Sequence, residues 1–255
     1  MYRRITTGRL PEADGAFIDE IWKASSAILN TLLRLLNERV YDAGDGTLVT
    51  VPLKVCVAAS NEWPQAADGG KELNALWDRF LFRKAVRPIL SAAGRQRLLW
   101  HRDHTPKLST TITPAEIDQA HREAMTLPWS DEAKEALEAV LRELAKDGIQ
   151  PGDRRQFKTV TAVQAFAYLN GAEEVRPEHL EVAQHCLWDD PQEQPQKVAQ
   201  VIAKIANPTG MRVTQLLLEV ESVLAATDVR NLAEAAKAAA KLGEIDRRAP
   251  WYVCA

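Results

Sequence analysis

The apolar positions of this chain fall first into a short run and then into a helical stripe. Gly15-Ala16-Phe17-Ile18 is small and apolar and ends abruptly in Asp19-Glu20. A run of that length stopped by two acids predicts a buried strand that delivers two carboxylates to the rim of a sheet. Behind it, Ile21, Trp22, Ile28, Leu29, Leu32, Leu33 and Leu36 recur with a period near 3.6 and predict a helix from about 21 to 37. Asp42-Ala43-Gly44-Asp45-Gly46 lies between two β-prone runs and predicts a hairpin over 40–51. Leu53 to Ala59 is a second β-rich run, and it ends in Ser60-Asn61-Glu62-Trp63-Pro64. Leu73, Leu76, Trp77, Phe80 and Leu81 predict a helix over 72–87, whereas 91–112 is basic and shows no period.

From Thr113 the pattern is helical throughout. Thr113-Pro114-Ala115-Glu116 is a capping box with proline at the first helical position. Helices are predicted near 114–126, 131–146, 153–169 and 177–187, the third capped by Asp153. After a polar break at Pro191–Pro195, three more are predicted near 195–206, 211–226 and 229–242. The fold class is therefore α/β plus all-α. A partial core over 1–110, an incomplete parallel sheet with helices, precedes a helical lid over 111–190 and a helical extension over 191–255.

Two adjacent strands would bring Asp19, Glu20 and Asn61 to one sheet rim, at the carboxyl ends where α/β proteins bind ligands. A carboxylate that holds Mg²⁺, a second that polarises water and an amide that orients it are what phosphoryl transfer to water asks of a protein. The same acids also suit the start of an acidic helix, where they favour the dipole. Asn61 alone suits a turn.

Composition narrows the picture without changing it. The 255 residues are 46% hydrophobic and 26% charged, as in ordinary globular proteins. A net charge of -3 gives no global argument for nucleic acid or an anionic membrane. Three scattered cysteines, Cys56, Cys186 and Cys254, argue against a disulfide framework and for a reducing compartment. No apolar run approaches a membrane span, and nothing behind Met1 forms a signal peptide, so the expected location is the cytoplasm. His101-Arg102-Asp103 lacks the asparagine of a kinase catalytic loop. The pairs His101/His104 and His179/His185 have no cysteine or carboxylate completing a metal set.

Five ordered segments resemble the MoxR group of AAA+ ATPases, and its RavA subgroup most closely. Phe17 to Ala24 is similar to the Walker B segment, and Ala58 to Pro64 to the end of the sensor 1 strand. Leu76-Trp77-Asp78-Arg79-Phe80-Leu81 is similar to the arginine-finger segment, and Gly152-Asp153-Arg154-Arg155 to the start of the lid helix bearing sensor 2. Ile28 to Leu33 with Asn37-Glu38-Arg39 is similar to the helix between the first two. The resemblance implies that Asp19 coordinates Mg²⁺, Glu20 activates water and Asn61 orients it. It implies that Arg79 reaches a nucleotide in a neighbouring subunit and that Arg154 or Arg155 contacts the γ-phosphate. The 40–50 hairpin would face substrate or pore. ATP and Mg²⁺ would be the cofactors. Partners would be further copies in a hexameric ring and a von Willebrand A-domain protein, with neither membrane span nor nucleic acid. The activity implied is ATP hydrolysis driving chaperone-like remodelling.

One part is missing from these residues. No G-x-x-x-x-G-K-[ST] loop occurs; Gly70-Lys71 is followed by Glu72 and lies downstream of the Walker B stretch. Two expectations follow. Either this is the C-terminal part of a complete ATPase, or it is a non-enzymatic interaction subunit that donates Arg79 to a complete neighbour. Under both, the sheet should present exposed edges and an uncovered apolar face.

Overall fold

The computed structural model describes residues 5–63, 70–100, 108–225, 227 and 232–247. The chain divides into two compact units, Met1–Leu81 and Phe82–Ala255.

In the first unit, β1 (Gly15–Ile18) pairs in parallel with β4 (Val55–Ala58), Gly15 opposite Val55 and Ile18 opposite Ala58. Between them lie α1 (Ser26–Glu38) and an antiparallel hairpin of β2 (Val40–Asp42) and β3 (Leu48–Thr50). The hairpin turn forms as its sequence requires. Gly44 and Gly46 take positive φ, and the Asp42 and Asp45 carboxylates accept from the amides of Gly44 and Thr47 at 2.8 and 2.9 Å. α1 buries Leu29 and Leu32 against Ile21 and against Leu73 and Leu76 of α2 (Gly70–Trp77). Leu35 packs on Val51 and Leu53.

Alternation along the parallel pair leaves one face bare. Ala16, Ile18, Cys56 and Ala58 are half-buried, while Phe17, Val55 and Val57 are 68%, 57% and 51% exposed. Parallel strands ordinarily have both faces covered. The apolar face expected from the sequence is therefore present and uncovered among the described residues.

Two of the helices expected before residue 90 differ from expectation. The stripe beginning at Ile21 is a 3-10 turn over Ile21–Lys23, and the α-helix starts only at Ser26. The cause is backbone conformation: Glu20 is left-handed at φ 51 and Ala24 is extended, so neither continues a helix. The helix predicted over 72–87 ends at Trp77. Leu81–Leu90 runs without regular structure, and the Arg83 amide donates to the His185 carbonyl at 2.9 Å rather than into a helix.

In the second unit, α3 (Ala92–Trp100) occupies part of the stretch without period and has no buried residue. The helices α4 (Pro114–Met125), α5 (Asp131–Lys146) and α6 (Asp153–Leu169) follow, then a 3-10 segment over Pro177–His185. α7 (Gln194–Ala206), α8 (Pro208–Ala225) and α9 (Leu232–Arg247) complete it. Thr113 makes the full capping box with Glu116. α6 is capped by Gly152, with Asp153 its first helical residue. Val140, Leu144, Val163, Leu180, Trp188 and Val198 form a core in which none exceeds 1% exposure. His179 serves as a cap, its Nδ1 accepting the Arg176 amide at 2.9 Å. His101 and His104 lie outside the described residues. Among the described residues no helix is long and apolar enough to cross a membrane.

Candidate active site

The parallel register places the ends of β1 and β4 side by side, and the two segments remain tied beyond the strands. Ala59 donates its amide to the Ile18 carbonyl at 2.9 Å, and Ile21 donates to the Ala59 carbonyl at 3.4 Å. Asp19-Glu20 and Asn61 therefore emerge at one rim. The Asn61 side-chain amide donates to Glu20 Oε1 at 3.3 Å.

Glu20 reaches this position by a left-handed backbone, φ 51 and ψ 38. A residue with Cβ disfavours that region by about 1 kcal/mol, and such residues gather at functional sites. The exposed Asp19 carboxylate accepts the Glu20 amide at 2.9 Å, which steadies the turn. Lys23, one turn on, sits 3.0 Å from Glu20 Oε2 and 3.6 Å from Glu62. The Glu20 hydrogen bond and charge raise the Lys23 pKa, so the ammonium stays protonated.

The fit to Mg²⁺ and nucleotide is one-sided. Mg²⁺ is usually held by one or two carboxylates together with phosphate oxygens and waters. Asp19, exposed and with one oxygen taken up by the Glu20 amide, matches that modest demand. No group of three or more His, Cys, Asp or Glu able to hold a metal by itself occurs among the described residues. A cation there would need phosphate oxygens, and the 255 residues carry no glycine-rich loop to hold phosphates.

Arg79 lies in the same unit, in the turn after α2. Its Nε donates to Asn37 Oδ1 at 3.2 Å and its Nη1 to the Ala75 carbonyl at 2.7 Å. The contact with Asn37 joins two segments that the sequence had singled out separately.

Arg154 and Arg155 belong to the second unit and differ sharply. Arg155 is buried at 4% exposure, and its Nη1 binds Asp189 Oδ1 at 2.5 Å. Arg83, 5% exposed, binds the same carboxylate oxygen at 2.8 Å and also donates to the Trp188 carbonyl. Burial opposes ionisation of Asp189, but hydrogen bonds and charge from the two guanidiniums outweigh it and hold the pKa below the usual aspartate value. Arg154 is exposed on the first turn of α6. Sequence reading missed Arg83 and Asp189, because no periodicity marks a buried ion pair between distant segments. It missed Lys23 as a partner of Glu20, although their i,i+3 spacing was visible.

Comparison with known proteins bears on the same residues. A family model described as "MoxR domain in the MoxR-vWA-beta-propeller ternary systems" matches residues 2–122, and a model described as "AAA lid domain" matches 133–202. Two uncharacterised proteins of Methanocaldococcus jannaschii are similar. MJ0812 is 41% identical over 205 residues, covering 80% of this chain and 52% of that protein. MJ0079 is 37% identical over 245 residues, covering 95% of this chain and 62% of that protein. The chain thus spans between half and two thirds of the length of these relatives. The crystal structure of a "putative ATPase" from Cytophaga hutchinsonii shares the fold, with a TM-score of 0.57 at 16% identity over 77% of this chain and 67% of that one. The MoxR domain model running into the AAA lid model places the chain in the MoxR family of AAA+ ATPases.

Proposed function

We propose that this chain carries the water-activating half of an ATP-hydrolysing centre. The observation that carries the reading is the Glu20–Asn61 contact at the carboxyl ends of a parallel pair. Glu20 would take a proton from the attacking water, and Asn61 would hold that water in line with the γ-phosphate. Asp19 would hold Mg²⁺, which supplies charge neutralisation at the phosphates when bound. Arg79 would leave Asn37 to stabilise charge at a nucleotide bound by the next subunit of a ring. Between the two lid arginines, Arg154 is assigned to the γ-phosphate, because Arg155 is committed to Asp189.

The wider reading is ATP hydrolysis driving chaperone-like protein remodelling by a hexameric ring in the cytoplasm. A core over 1–110, a lid over 111–190 and an extension over 191–255 go with it. A RavA-like placement rests on the Ile21-Trp22-Lys23-Ala24 signature. The matched model instead names ternary systems with vWA and β-propeller components, and a von Willebrand A-domain partner accords with both. The bare face of Phe17, Val55 and Val57 supports a centre whose phosphate-holding side is not in these residues.

The alternative, a scaffold subunit that only donates Arg79 to a complete neighbour, draws on the same missing loop. Turnover by the chain extended upstream in frame separates them. An extension that adds a glycine-rich loop and restores Glu20-dependent hydrolysis supports the ATPase reading. An extension without such a loop, and without turnover, favours the scaffold.

A further inference from the structure

Three tryptophans in the first unit stack edge to face around the rim. Trp22 follows Glu20 by two positions, Trp63 follows Asn61 by two, and Trp77 precedes Arg79 by two. The Trp22 and Trp77 rings lie 5.7 Å apart at 69°, and the Trp63 and Trp77 rings 5.4 Å apart at 85°. Phe80 closes the group at 6.4 Å from Trp22. Both contacts of Trp77 are near-perpendicular, a geometry that aromatic quadrupoles favour.

Each ring thus belongs to a different functional segment, and Trp77 touches the other two. Trp22 is anchored in the core of Ile21, Leu29 and Leu76, so the Glu20 side of the group is fixed. Trp63 is 37% exposed, on the loop that carries Asn61. Indole rings are large and rigid and have two side-chain torsions, so a displacement of α2 must be taken up by the rings it touches. The last turn of α2 also leads into Arg79, which holds Asn37.

We infer that Trp77 is a positioning residue that couples the Arg79 segment to the Glu20–Asn61 pair. Engagement of Arg79 by a neighbouring subunit would then be felt at the water-orienting amide of the same chain. This rests on the ATPase reading for its purpose, but not for its existence.

The test follows the Asn61 side-chain NH₂ resonances in the folded 255-residue chain. Arg79→Met is expected to shift them in the wild-type background and to leave them in place in the Trp77→Leu background. Trp77→Phe, which keeps a ring at the hub, is expected to restore the shift. Where Trp77→Leu does not fold, Trp63→Leu breaks the same route from the partly exposed side and is expected to abolish the shift. Equal shifts of Asn61 with and without the hub ring would overturn the proposal. So would no response to Arg79→Met in the wild-type background. No nucleotide enters this measurement, so failure of the ATPase reading would appear separately, as absent turnover in an upstream-extended chain.

Discussion

Asn61 hydrogen-bonds Glu20 at 3.3 Å across 41 positions of sequence. The contact exists because β1 and β4 are parallel and in register, so the residues that follow each strand leave at the same rim. It also needs the left-handed turn at Glu20, which sets the carboxylate towards the second strand.

That turn predicts an inverted ranking of substitutions. Glycine normally weakens a structure relative to alanine, but at φ 51 the Cβ is the liability. Glu20→Gly is expected to be more stable than Glu20→Ala by about 1 kcal/mol. Denaturant unfolding of the two variants measures this, and alanine equal to or better than glycine would refute it.

The buried arginine pair predicts a large effect from a half-exposed carboxylate. Asp189→Ala leaves Arg83 and Arg155 without their shared counter-charge. Breaking a fully buried pair costs about 3–5 kcal/mol. Solvent reaches half of the Asp189 side chain, so about 2 kcal/mol is expected here. The folded pKa of Asp189 lies below its ordinary 3.8, so this stabilisation is present above that value and is lost as pH falls through the folded pKa. Wild type and Asp189→Asn should therefore converge in stability at the acid end, and a gap that persists there would contradict the assignment.

Arg154 and Arg155 should separate by what they cost. Arg155→Met is expected to destabilise the chain, since it removes a buried partner of Asp189. Arg154→Ala, on an exposed first turn, should stay within about 0.5 kcal/mol of wild type. Only Arg154→Ala should lower nucleotide turnover in an upstream-extended chain while leaving stability intact. Thermal unfolding of both variants, with turnover in the extended form, reads the two effects apart.

Much of this was legible in the chain, and the exceptions have physical causes. Strand ends, the glycine hairpin and the capping box at Thr113 are local, and the five α-helices from Pro114 to Ala225 follow their patterns within a few residues, whereas the segment expected as a helix over 177–187 is 3-10. Ile21 and Trp22 continue the apolar period of α1, but the left-handed Glu20 and the extended Ala24 keep the α-helix from starting before Ser26. The apolar stripe of α2 runs on to Leu81 in the sequence, but Arg83 already belongs to the second unit, where it bonds to His185 and Asp189. Tertiary hydrogen bonds of that kind leave no mark on periodicity. The rim residues Asp19, Glu20 and Asn61 were legible because each ends an apolar run; their partner Lys23 and the ring of tryptophans were not read as a group.

The bare sheet face makes Phe17 a sensor of what covers it. Phe17→Ser should change the stability of the 255-residue chain by less than about 0.5 kcal/mol, because the ring is 68% exposed. In an upstream-extended chain that covers this face, the same substitution should cost about 3 kcal/mol or more. Equal small effects in both would show that the extension does not pack on β1 and β4.

The central claim is that the water-activating residues are present here and the phosphate-holding ones are not. Steady-state ATP hydrolysis tests it most directly, measured on the 255-residue chain, on an upstream-extended chain, and on each with Glu20→Gln. The expected result is no turnover above background from the chain alone, and turnover from the extended chain that Glu20→Gln abolishes. Hydrolysis by the 255 residues alone that Glu20→Gln removes, or turnover by the extended chain that survives Glu20→Gln, would contradict it.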